Sequence, residues 1–158
     1  MLGLNVAQIG TIQSASSLID MALFVPAGYI MDRWGRKFAS VPSFALMGIG
    51  MALIPLTGGF WSLFAAAMLI GIGNGFGSGV IMTLGADLAP PGATGEFLGI
   101  WRFIGDSGRA GGPVAVGALA DSAGFGVASV VLGGVGVLAS ATLMFLVKET
   151  RAGPEESG

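Results

Sequence analysis

An all-α protein integral to a membrane is the fold class this sequence predicts, and three observations predict it. Hydrophobic residues make up 53% of the chain and charged residues only 10%, where a soluble domain carries about 25% charged. The charges cluster and leave apolar stretches of about 20 residues, the length a helix needs to cross hydrocarbon. Gly accounts for 29 of 158 residues, has no collagen-like period, and lies inside those apolar stretches. There, small residues let helix backbones approach closely.

Five helices follow in order. The first is expected from Val6 to Met31, the second from Phe38 to Leu56 and the third from Trp61 to Ala86. The fourth is expected from Thr94 to Ala120 and the fifth from Val127 to Val147. The punctuation between them is chemical. Asp32-Arg33-Trp34-Gly35-Arg36-Lys37 puts four charges into six residues, which cannot lie in hydrocarbon. Thr57-Gly58-Gly59 and Asp121-Ser122-Ala123-Gly124 read as turns, and Pro90-Pro91-Gly92 stops a helix because Pro lacks the amide donor. The tail from Ala152 to Gly158 is short, polar and expected to be disordered. This divides the chain into a membrane domain over residues 1–151 and a tail over 152–158.

Lys and Arg set the orientation. Arg33, Arg36 and Lys37 follow the first helix, and Lys148 and Arg151 follow the fifth. With five alternating helices both groups face one side, expected to be the cytoplasmic side of the cell membrane. The turns at 57–59 and 121–124 carry no Lys or Arg, as expected outside. The loop at Asp87–Pro91 has no basic residue and is neutral evidence.

Composition also excludes. Cys and His are absent, which removes disulfides, thiolate and imidazole chemistry and the usual zinc sites. No metal and no cofactor are expected. A net charge of -2 argues against a nucleic-acid partner. With no nucleophile–base pair, no enzyme reading survives.

The run Gly28-Tyr29-Ile30-Met31-Asp32-Arg33-Trp34-Gly35-Arg36-Lys37 resembles the G-x-x-x-D-R-x-G-R-[RK] loop signature of the major facilitator superfamily of secondary transporters, and matches it at Gly28, Asp32, Arg33, Gly35, Arg36 and Lys37. The resemblance implies a fold of two six-helix halves around a central cavity, with this loop latching cytoplasmic helix ends. The family's first half often carries an R-x-x-Q-G-like pattern in its fourth helix. Leu69 to Gly75 has no Arg, and Lys148-Glu149-Thr150-Arg151 looks like a family C-terminus. The chain is therefore expected to be five helices, eight to twelve, of the C-terminal half. The other half, on the same or a separate chain, would be its partner, with membrane lipid and a small-molecule substrate.

Three groups are candidates for chemistry. Asp20 falls near mid-membrane on the first helix, where a carboxylate is costly and by default functional. Gln13, Ser17 and Asp20 share one helical face. Low dielectric favours the neutral acid, which suits a proton carrier; the alternative is a structural Asp bonded to a neighbouring helix. Arg102, Asp106 and Arg109 form the second group, on one face of the fourth helix. Asp106 can pair with either Arg, leaving a surplus of one positive charge. That surplus needs an anion: an acidic substrate group, Asp20 or a residue of the other half. Glu96 sits at the helix start, favours the helix dipole and is structural.

Glycines are the third group. Gly71, Gly75 and Gly79 recur every four residues on the third helix, and Gly108 and Gly112 with Pro113 do so on the fourth. Both patterns read as packing faces. The second resembles the G-x-x-x-G-P-x-x-G-G pattern of family antiporters but departs at Gly117, one position late. Asn74, amid the glycines, either lines a cavity or bonds a neighbouring helix. The loop cations Arg33, Arg36 and Lys37 also suit anionic lipid. The function implied is proton-coupled transport of a small organic molecule, drug-like efflux first. The alternatives are uptake of an organic anion or metabolite, and a truncated remnant or membrane scaffold.

Overall fold

The computed structural model describes residues 3–77 and 79–146. Helix α1 spans Val6–Trp34, α2 Arg36–Leu53, α3 Phe60–Gly77, α4 Val80–Leu88, α5 Thr94–Ala123 and α6 Phe125–Phe145. No strand occurs among the described residues. Lys148, Arg151 and the tail lie outside them.

Asn5 starts α1 with a capping box: its side chain accepts from the Gln8 amide at 2.8 Å, and the Gln8 side chain accepts from the Asn5 amide at 3.0 Å. The helix runs three residues past the expected end at Met31, through Asp32 and Arg33, and stops at Trp34. The loop expected there is a single residue. Gly35 caps α1 and begins α2 at φ 107, ψ 161, a region essentially reserved for Gly. Gly124 makes the same one-residue turn between α5 and α6 at φ 91, ψ 153. Gly35→Ala is therefore expected to destabilise the fold by about 1–3 kcal/mol, read as a lower unfolding temperature in detergent.

The second expected helix ends early, because Pro55 diverts residues Ile54–Leu56 into a 3-10 turn. The third is interrupted: α3 ends at Gly77 and α4 resumes at Val80, at the Gly-rich stretch where backbone constraint is weakest. Four segments are long and apolar enough to cross a membrane: Val6–Trp34, Arg36–Leu56, Phe60–Leu88 and Phe125–Phe145. Helix α5, where the fourth helix was expected, has 30 residues but is not among these four, because Arg102, Asp106 and Arg109 interrupt its apolar run.

Helix α2 sits in the middle, flanked by α3 on one side and α6 on the other; α1 packs on α3, and α5 leans on α6 and α4. The buried apolar side chains are few and mostly small, and Ser43 is the largest side chain that is fully enclosed. Large apolar side chains such as Val6, Phe103 and Leu138 point outward, as lipid-facing surfaces require. Lipid offers no hydrophobic drive between helices, so close backbone packing and hydrogen bonds must hold them. Each main seam shows both. Across α1–α3, Ser16 donates to the Ala67 carbonyl at 2.9 Å, and a Cβ on Gly71 would lie 2.7 Å from the Ser16 carbonyl oxygen. Across α2–α3, Ser43 donates to the Gly73 carbonyl at 2.7 Å. Across α2–α6, Ser140 donates to the Val41 carbonyl at 2.8 Å, and Gly48 faces Gly133 and Gly136.

Helix α3 is thus a wedge with two glycine faces. Gly71 and Gly75 meet α1 at Ser16 and Asp20, while Gly73 meets α2 at Ser43 and Met47; Gly79, expected on the same helix, falls between α3 and α4 and meets Met31. The packing expected at Gly108 and Gly112 is not formed by the described residues. A Cβ on either meets nothing within 4 Å, Pro113 is exposed, and α5 buries no residue at all. Helix α5 packs mainly on α6 and α4, and Gly108 borders an open cavity instead of a neighbouring helix.

Candidate functional site: a charged cleft between α1, α3 and α5

The close approach at Gly75 sets the site. A Cβ there would lie 2.8 Å from the Asp20 carbonyl oxygen, so only Gly lets α3 and α1 touch at that level. Asn74, the neighbouring residue, then donates from Nδ2 to Asp20 Oδ2 at 2.8 Å. Asp20 Oδ1 is buried and has no hydrogen-bond partner among the described residues. An unsatisfied buried acceptor costs about 1–3 kcal/mol, so a fold that keeps one has a reason outside its own packing.

Asp20 and Asn74 line a cavity of about 1020 Å³. Its opposite wall is α5, which contributes Arg102, Asp106 and Arg109; Phe24, Phe44 and Met47 supply apolar surface. Asp20 lies 14 residues before the end of α1 and Arg109 lies 15 residues after the start of α5. At 1.5 Å per residue both stand about 21–22 Å from the same end of the bundle, which is mid-membrane depth. The structure therefore brings Asp20, Asn74, Arg102, Asp106 and Arg109 together.

It leaves others out. Gln13 and Ser17 share the stripe of Asp20 but are exposed and do not line the cavity. Gln13 lies seven residues along the helix, about 10 Å away, beyond the end of the cleft. The pairing expected within α5 is also absent, while ion pairs do form at Asp32–Arg36 and Arg36–Asp87. Asp106 makes none with Arg102 or Arg109 within 4.0 Å.

Arg36 ties the loop signature to α4. Its Nη1 donates to Asp32 Oδ1 at 2.9 Å and its Nε donates to Asp87 Oδ2 at 3.1 Å. Arg33 donates to the Tyr29 hydroxyl at 2.7 Å and sits over that ring. Gly28 faces open space. Asp87 is the member sequence reasoning missed. A lone acid at the end of a loop without cations, on the same side as three cations, was the signal that could have found it.

Trp101 was missed as well. Its indole N–H donates to the Ile81 carbonyl at 3.0 Å, it stacks on Phe97, and it occupies the space left by Gly85, where a Cβ would come within 2.8 Å of Nε1. Trp101 also lines the cavity, so the short helix α4 is held at both ends, by Trp101 near its start and by Arg36 at its finish.

The whole chain, residues 1–158, matches the family model described as Major Facilitator Superfamily. It is 31% identical over 151 residues to protein spinster homolog 1 of Homo sapiens, covering 93% of this chain and 28% of the relative. It is 33% identical over 122 residues to multidrug resistance protein MdtG of Escherichia coli, covering 77% of this chain and 30% of the relative. It is 32% identical over 99 residues to the vacuolar membrane amino acid uptake transporter fnx2 of Schizosaccharomyces pombe, covering 61% of this chain and 17% of the relative. The chain thus spans less than a third of the length of these relatives.

Proposed function

This chain belongs to the major facilitator superfamily, and from that footing we propose that it forms part of a proton-coupled secondary transporter that expels small organic molecules. The observation that carries the reading is the mid-depth carboxylate of Asp20, half-satisfied by Asn74 and lining a cavity that faces Arg102, Asp106 and Arg109. A carboxyl group in the middle of a membrane-crossing helix, part-buried against a neighbouring helix, is suited to take up and release a proton within the membrane. The efflux direction draws on the likeness to a multidrug resistance protein. A second reading, uptake of an organic anion, is favoured by the two arginines in the cavity.

Inside-out vesicles carrying the protein test the first reading. With an imposed pH gradient they are expected to accumulate ethidium above control vesicles. Accumulation equal to controls, with or without the gradient, would remove the efflux reading.

The basic loop and Asp87 are read as a cytoplasmic latch. In that role Arg36 holds α4 against the α1–α2 turn, and the pair must form and break in each cycle. Asp32→Asn and Asp87→Asn are expected to slow turnover severalfold with little change in substrate affinity. A large affinity loss with normal turnover would contradict the latch.

A further inference from the structure

The four ionisable groups that line the cavity are divided between two walls. Asp20 is the one ionised group on the α1 wall, with a formal charge of −1, and among the described residues its hydrogen-bond partner is the neutral amide of Asn74. Arg102, Asp106 and Arg109 stand on α5 and sum to +1, and no ion pair within 4.0 Å ties them to one another or to Asp20. The cavity is therefore neutral as a whole but polarised across its width. The apolar side chains of Phe24, Phe44 and Met47 line the same cavity.

From this arrangement we infer that the preferred ligand is dipolar: a zwitterion whose cationic group meets Asp20 and whose carboxylate or phosphate meets Arg102 and Arg109, with an apolar body between. The inference rests on the transporter reading and names the substrate class for its cavity. Walls of opposite charge are best complemented by a ligand that carries both charges. A simple organic cation serves Asp20 and leaves the α5 wall with a surplus; an organic anion serves α5 and leaves Asp20 Oδ1 orphaned. A zwitterion serves both walls at once. It also explains why Asp106 lies among the arginines: it trims the α5 wall from +2 to +1, which matches one anionic group rather than two. The same geometry makes a proton and the ligand's ammonium rivals for one carboxylate, the mutual exclusion that an antiporter needs.

Four ligands with one body and different end charges decide it: phenylalanylphenylalanine, its C-terminal amide, its N-acetyl derivative and the doubly blocked N-acetyl amide. Their binding to the full chain in lipid nanodiscs would be measured by titration calorimetry. The zwitterion is expected to bind at least about tenfold more tightly than each of the others. Asp20→Asn is expected to remove its advantage over the N-acetyl anion. The double variant Arg102→Gln, Arg109→Gln is expected to remove its advantage over the amide cation. Tightest binding by either singly charged ligand overturns the dipolar inference and leaves the transporter reading standing. Equal binding by all four overturns it as well and makes the cleft merely apolar. Binding by none of the four sinks the inference, and the vesicle measurement above then decides separately whether the transporter reading falls with it. If a variant fails to fold, the four-ligand comparison on the unaltered protein still decides the question.

Discussion

Asp20→Asn is expected to abolish transport driven by a pH gradient, down to the level of vesicles without the protein, while leaving the protein folded. The amide is nearly isosteric with the carboxyl group, and Asn74 can still hydrogen-bond its oxygen, so the α1–α3 contact at Gly75 persists. What is lost is the only ionisable group that the described residues contribute to the α1–α3 wall. Exchange of substrate across a membrane without a gradient needs no proton release, so it should survive. That split separates a coupling role from a structural one. If Asp20 were structural, gradient-driven transport and exchange would fall together, along with the unfolding temperature.

Gly48→Val is expected to have the largest effect on stability. A Cβ at Gly48 would lie 2.7 Å from the Gly133 carbonyl oxygen and 2.8 Å from the Val137 amide nitrogen. These are backbone atoms on α6, so neither can swing aside as a side chain would. The α2–α6 seam must open, the Ser140–Val41 hydrogen bond is strained, and α2 is the helix around which the others assemble. Overpacking of this kind costs about 1–3 kcal/mol or more, enough to lower the unfolding temperature by several degrees. Gly134→Ala on the same helix is the control. It meets nothing within 4 Å and replaces Gly by the better helix former, so it should leave the unfolding temperature unchanged or raise it. Equal losses from both variants would mean that the glycines matter for helix propensity rather than for close approach.

These two residues also mark what the sequence could and could not reveal. Asp20 was readable because a carboxylate inside an apolar stretch is rare enough to stand out. Its partner was not: Asn74 is 54 residues away, and no periodicity states that α3 packs on α1. The helices were readable from hydropathy, since apolar length is what a bilayer demands. The break between Gly77 and Val80 was not, because hydropathy runs on through it. Glycine spacing was informative but incomplete. The same every-fourth pattern occurs at Gly71–Gly75 and at Gly108–Gly112, yet only the first meets a neighbour among the described residues. Such spacing says that a helix can be approached closely and is silent about what approaches it. The α2–α6 seam carries the same spacing, at Gly48 and Ala52 on one helix and at Ser129, Gly133, Gly136 and Ser140 on the other, but nothing in the sequence says that these two helices meet. For Arg36, the local partner Asp32 was visible at four residues' distance, while Asp87 needed the fold to bring α4 alongside.

Proton movement is expected to pass through Asp20 in the cleft between α1, α3 and α5. Proteoliposomes loaded with a pH-sensitive dye test it most directly, by following internal pH when substrate is added to one side. A substrate-dependent proton flux is expected with the unaltered protein and none with Asp20→Asn. An equal proton flux from the Asp20→Asn protein would contradict it and place the proton path elsewhere.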